Sequence, residues 1–214
     1  MLGRFNKTRL APLLAEFLGT GILVMVALVL TQTTAVPYFI GTSVAVALVL
    51  VYVLFGSLSG GHFNPAITVG IWTARKISSL WAVAYIVVQL LAGAGAWQLF
   101  QYFTNQALPV KGTPFSTPLF LAEMVGVAIL AAGLTAAFVK GLDTLTSALT
   151  YGASFFIGIL VAATASAAYL NPATALALRN WSAVYVLGPI AGAIIGVNLY
   201  MYMFGPTAVA RKKK

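Results

Sequence analysis

The sequence predicts an all-α membrane protein in which six transmembrane helices and two re-entrant half-helices form an inverted repeat. Three observations predict it: an apolar composition, six long apolar runs, and two pairs of short motifs at one common offset. Of 214 residues, 61% are hydrophobic and 7% charged. A water-soluble domain needs a polar shell, and 12 basic plus 3 acidic residues cannot build one. A bilayer core about 30 Å thick takes roughly 20 apolar residues per helix. The length therefore accommodates six crossings as one transmembrane domain, 1–214, with no soluble domain beside it.

The same composition excludes several classes of function. There is no cysteine, so disulfides, thiolate metal sites and cysteine nucleophiles are ruled out. One histidine, His62, and three acids, Glu16, Glu123 and Asp143, are too few for a clustered metal or acid–base site, so neither catalysis nor a cofactor or metal is expected. The net charge of +9 does not point to nucleic acid, because the basic residues flank the apolar runs. The tail Arg211–Lys214 suits anionic headgroups of a lipid bilayer.

Apolar runs lie at about 10–30, 38–58, 80–103, 118–139, 147–168 and 182–204. Spanning backbone must satisfy its own hydrogen bonds, so each run is read as a helix. Turn chemistry separates them at Thr31–Pro37, Asn105–Pro118, Lys140–Asp143 and Asn180–Ser182. Arg4, Lys7 and Arg9 before the first run resemble a signal-peptide start, but Glu16 interrupts the apolar stretch and no clear cleavage site follows, so this helix is expected to be retained. Two segments at about 65–75 and 172–179 begin with Asn-Pro and are too short to span. Short segments in corresponding places of two halves point to re-entrant half-helices around a midplane site. With six spans, Arg4, Lys7, Arg9, Arg75, Lys76, Lys140 and Arg211–Lys214 share one side, against Lys111 and Arg179 on the other. Ten against two predicts cytoplasmic termini in a plasma or inner membrane.

The repeat is read from two matches. Leu14-Ala15-Glu16-Phe17-Leu18-Gly19 resembles Leu121-Ala122-Glu123-Met124-Val125-Gly126, and 123 − 16 = 107. Asn64-Pro65-Ala66 equals Asn171-Pro172-Ala173, and 171 − 64 = 107. A shared offset predicts duplicated units, at about 10–103 and 118–204. Each unit holds three crossings, and an odd number inserts the second copy upside down. The half-helices then enter from opposite faces and meet near the middle.

Proline suits a first helical turn and Asn the cap before it, which leaves the Asn amide free to donate into a lumen. Two such caps place two amide donors and two positive helix ends at one point. A water held there by its oxygen is hindered from bonding to its neighbours in a file, and positive potential opposes cations. The plainer reading of each motif alone is a capped helix start; two copies at the repeat offset favour the pore.

These residues resemble the aquaporin, or major intrinsic protein, family. Ser59-Gly60-Gly61-His62-Phe63-Asn64-Pro65-Ala66-Ile67-Thr68 is similar to its first pore loop, Ala15–Thr20 to its first helix, Tyr85–Gln89 to its third, and Gly188-Pro189 to its sixth. The resemblance implies six helices, two half-helices, one pore per subunit and a homotetramer. It also implies a selectivity filter at Val44, Ile159, Ala168 and Thr174. Most members carry Arg where this chain has Thr174, so the implied filter is apolar, uncharged and wider than one for water alone. From the second Asn to Pro189 there are 189 − 171 = 18 residues, against 89 − 64 = 25 to Gln89, so the second half-helix or its exit is expected to be shortened.

Glu16 and Glu123 are ionisable groups within spans and call for a functional hypothesis, proton coupling. The plainer reading, favoured by the repeat, is that with Gln89 they scaffold the loops. His62 is a candidate for gating by pH, against simple packing. The leading function is passive conduction of water, with small neutral solutes beside it. The alternatives are a facilitator for glycerol, ammonia, urea or peroxide, a proton-coupled transporter using Glu16 and Glu123, and a structural or junctional protein.

Overall fold

A computed structural model describes residues 7–205, with side chains from Leu10 onward. Arg4 and Arg211–Lys214, and the side chains of Lys7 and Arg9, on which the orientation argument partly rests, lie outside the described residues. The chain runs α1 Lys7–Thr33, α2 Pro37–Ser59, α3 Pro65–Thr73, α4 Ser79–Thr104, α5 Thr117–Lys140, α6 Thr144–Ala162, α7 Pro172–Ala177 and α8 Ala183–Phe204. Six of these are long and apolar enough to cross a membrane; α3 and α7, with 9 and 6 residues, are not.

Local chemistry sets the boundaries. Pro37 opens α2, and Gly60, in the left-handed region at φ 89°, closes it by returning its N–H to Gly56. The Ser78 hydroxyl accepts the Trp81 N–H at the start of α4. The fifth crossing differs most from its expected span of 147–168. It begins at Thr144 because Asp143 caps the Leu145 and Thr146 N–H groups, and it ends at Ala162, where the chain turns inward toward the second Asn-Pro.

Within each half the first helix packs on the other two: α1 on α2 and α4, and α5 on α6 and α8. The halves join through α2 against α6, and each half-helix crosses over, α3 onto α8 and α7 onto α4. Close approach depends on small residues. A Cβ at Gly192 would lie 2.1 Å from Met124 O, and one at Gly126 2.7 Å from Gly158 O. The half-helices differ by 9 − 6 = 3 residues. Counted from Tyr85 and Tyr185, each four residues before Gln89 and Pro189, α8 starts four residues later than α4. Together these account for the seven residues missing from the second half.

Candidate functional site

Both half-helices start on the same chemistry. The side-chain oxygen of Asn64 accepts the Ala66 N–H and that of Asn171 the Ala173 N–H, each at 2.9 Å, with Pro65 and Pro172 in the first turn. Using the oxygen as cap turns each amide nitrogen toward the opposite half. Asn64 Nδ2 donates to Leu170 O at 2.8 Å, and Asn171 Nδ2 to Phe63 O at 3.1 Å. Each asparagine therefore bonds the carbonyl of the residue preceding its counterpart. One of the two amide hydrogens is committed across this junction, so one, not both, remains for anything passing it.

The loops that deliver the asparagines are tied to buried carboxylates. Glu16 Oε1 accepts from Ser59 Oγ at 2.6 Å and His62 N at 2.9 Å, while Oε2 accepts from Phe63 N at 2.6 Å and Gln89 Nε2 at 2.8 Å. Glu123 repeats the pattern, with Ser166 Oγ at 2.8 Å, Tyr169 N at 3.0 Å and Leu170 N at 2.8 Å. These bonds hold Phe63 and Leu170 at positive φ, 48° and 52°, which no side chain adopts freely. The carbonyls so presented are the two that accept from the asparagines. The fourth bond is missing in the second half because Pro189 stands where Gln89 stands in the first. Tyr85 adds a bond to Ser59 O at 3.0 Å, and the Tyr185 hydroxyl accepts from Ala167 N at 3.3 Å.

His62 is buried, with Nδ1 3.1 Å from Thr68 Oγ1 and its ring edge-on to Tyr85 at 5.3 Å. Its repeat counterpart Tyr169 stacks on Tyr185 at 4.2 Å. An aromatic ring on a tyrosine thus occupies the place in both halves, and in one of them it has no proton to gain near neutrality. Ser59, Ser166, Tyr85 and Tyr185 were given no role from the sequence; the serines were findable, since 166 − 59 is again 107.

Val44, Ile159, Ala168 and Thr174 come together from α2, α6, the second loop and α7 around one cavity of about 20 Å3, with Asn171 at its floor. A single water needs roughly 10–15 Å3. The cavity widens through Thr31, Ile40 and Ile159 into a vestibule of about 590 Å3. Glu16, Glu123 and Gln89 line neither.

Residues 5–200 match the family model described as major intrinsic protein. The chain belongs to the major intrinsic protein family. It is therefore an integral, multi-pass membrane protein. It is 29% identical to Aquaporin AqpM of Methanothermobacter marburgensis, over 89% of this chain and 96% of the relative. It is 31% identical to Aquaporin-5 of Mus musculus, over 92% and 82%, and 30% identical to Glycerol uptake facilitator protein-like 6 of Lactiplantibacillus plantarum, over 85% and 93%. The structure resembles the aquaglyceroporin from Plasmodium falciparum with a TM-score of 0.72, over 91% of this chain and 95% of that one, at 18% identity.

Among the described residues of this major intrinsic protein no arginine lines the ring of Val44, Ile159, Ala168 and Thr174, and Arg179 does not fold back to supply one. Its guanidinium lies over the Trp97 ring, 4.3 Å from the centroid. Its carbonyl accepts the Lys111 N–H at 2.7 Å. That bond and the Thr113–Asn180 pair, at 2.8–3.0 Å, fasten the 105–116 loop over this end, and Lys111 is the basic residue lining the vestibule.

Proposed function

We propose that this chain is a passive channel for water, with Asn64 and Asn171 as its central donors and Val44, Ile159, Ala168 and Thr174 as its outer filter. The observation that carries the reading is the reciprocal bonding of the asparagines to Leu170 O and Phe63 O. It places a free amide hydrogen from each half beside the carbonyls of Phe63 and Leu170. A water arriving there finds donors for its oxygen, which hinders the donor–acceptor chain that protons need. The names of the relatives, aquaporins and a glycerol uptake facilitator, support a channel rather than an enzyme.

A space of about 20 Å3 at the ring favours water over larger solutes. The second reading is a facilitator for small neutral solutes such as glycerol, ammonia, urea or peroxide. The uncharged apolar lining of the ring favours it. Proton coupling is disfavoured, because Glu16 and Glu123 spend their acceptor capacity on loop backbone. The assignment extends to a homotetramer with cytoplasmic termini, consistent with Arg75, Lys76 and Lys140 at the end of the fold opposite Lys111 and Arg179.

Stopped-flow shrinkage of proteoliposomes tests the proposal. Water permeability should exceed that of empty vesicles with a low activation energy, and glycerol uptake should be small by comparison. Water flux equal to empty vesicles refutes the channel; glycerol flux without water flux transfers the assignment to the facilitator.

A further inference from the structure

The 107-residue offset relates the two ends of the pore as well as its middle. Applied to the outer ring, it carries Val44 to Tyr151, Ile159 to Tyr52, Ala168 to Gly61 and Thr174 to Ile67. An inverted repeat puts these four at the same depth on the opposite side of the asparagines. There the lining is no longer small. The Tyr52 and Tyr151 rings meet edge to face with centroids 5.9 Å apart.

Both rings are locked to the loop that presents Asn64. Tyr151 donates its hydroxyl to His62 O at 3.1 Å. Tyr52 lies flat on Gly61, where a Cβ would come within 2.6 Å of its ring, and on Gly56, where one would come within 2.9 Å. Gly61 holds φ +68°, so both its conformation and its missing side chain suit this contact. Burial shows the consequence. Tyr151 is 1% exposed against 4% for its counterpart Val44, and Ile67 0% against 6% for Thr174, while Tyr52, at 6%, exceeds its counterpart Ile159 at 3%. The outer cavity reaches Asn171 and Thr174; on the α3 side a cavity of about 560 Å3 reaches Ser59, Gly60 and His62 and is otherwise lined mainly from α4, α5 and α8. Neither is lined by Tyr52, Tyr151, Ile67 or Asn64.

We propose that the Tyr52–Tyr151 pair is a second constriction, on the α3 side of the asparagines, and that it, not the outer ring, limits water flux in this channel. This rests on the pore reading given above. A file of water passes only when the Tyr151 ring swings off the axis, which breaks its bond to His62 O and its edge contact with Tyr52. Phenolic hydroxyls at a waist can hydrogen-bond a passing water, whereas the outer ring, apart from Thr174, offers none from its side chains.

The test uses the full chain in proteoliposomes, with water and glycerol permeability per channel as readouts. Tyr151→Val and Tyr52→Ile install the residue found at the matching outer position. With the open arrangement populated at about 10% or less, either should raise water permeability about tenfold, with glycerol still held back by the outer ring. Tyr151→Phe keeps the ring and removes only its anchor on His62, so it should give a smaller rise even if the valine variant folds poorly. Because the chain has no cysteine, Tyr151→Cys introduces a unique thiol. A methanethiosulfonate reagent should close this variant, and reducing it should reopen the channel, which a purely structural role for Tyr151 would not produce. A conducting wild type, indifferent to both tyrosine substitutions and to the reagent, overturns the constriction alone. Adding Val44→Trp to Tyr151→Val should abolish the flux. Flux that survives this, or vesicles that match empty ones with every variant, overturns the pore reading and the constriction with it.

Discussion

Removing the Glu123 carboxylate is the sharpest test of how the second loop is held. Its two oxygens accept from Ser166 Oγ, which is half-buried, and from Tyr169 N and Leu170 N, which are buried. In Glu123→Gln the amide oxygen can keep Ser166 and Tyr169, but the amide nitrogen then faces the Leu170 N–H, donor against donor. One buried backbone donor is left unmet, at about 1–3 kcal/mol. In Glu123→Ala both backbone donors are stranded, at about 2–6 kcal/mol. For a chain of this size each kcal/mol moves Tm by roughly 2–4 °C. Purified protein in detergent, followed by the intrinsic fluorescence of its four tryptophans, should therefore melt a few degrees lower for the glutamine variant and much lower for alanine. Water flux should fall as well, since Leu170 carries the carbonyl that accepts from Asn64. A glutamine variant with wild-type Tm and flux would refute the donor count. So would an alanine variant that is no worse than glutamine.

Four further outcomes follow from the same geometry. Asn64→Asp keeps the cap on Ala66 N but sets an acceptor against Leu170 O in place of the donor, so it should lower Tm and cut water flux; Asn64→Ala should lose the cap, at about 1 kcal/mol, read as a lower Tm. Val44→Phe with Thr174→Arg should fill the cavity of about 20 Å3 and reduce flux of any permeant; unchanged uptake would remove the outer ring from the path. Gly192→Ala should destabilise by about 1–3 kcal/mol because a Cβ would meet Met124 O at 2.1 Å, whereas Gly95→Ala, with nothing within 4 Å, should be neutral or stabilising. Water permeability should stay flat between about pH 5 and pH 8 and survive His62→Tyr, the residue of the other half; a step in the pH profile that this substitution abolishes would make His62 a gate.

The sequence made the scaffold legible because the scaffold needs particular residue types at fixed spacing. A loop that must expose backbone N–H groups inside a membrane requires an acceptor, and Glu16 and Glu123 announce it by being acids within apolar runs. Asn-Pro announces the half-helices because cap and first turn are local chemistry. The fifth helix was misplaced by several residues for a related reason: the Ala-rich stretch after Ala162 is apolar, but it is loop, tied by Ser166 Oγ and Tyr169 N to a distant carboxylate. Hydropathy registers depth in the membrane and not whether the backbone is helical there. The position of Arg179 was equally hidden, since the Trp97 face that receives it lies 82 residues away in the chain.

The repeat explains why selectivity must be carried by side-chain volume. Both halves keep Glu, Ser, Asn, Pro and the crossing glycines Gly19 and Gly126 at one offset, so the backbone is obliged to make two similar mouths. A symmetric backbone cannot distinguish its ends. Among the positions where the halves disagree are those that the offset relates to the outer ring, Val44 against Tyr151, Ile159 against Tyr52 and Thr174 against Ile67. Exchanging Tyr151 and Val44 in one double variant keeps the total volume of the lining and reverses its distribution. It should move the narrow point from the α3 side to the α7 side with little change in overall flux. A thiol-reactive blocker at Ala168→Cys, weak on the wild-type background, should then become strong. Equal block on both backgrounds would mean that the two ends are not related in the way the offset requires.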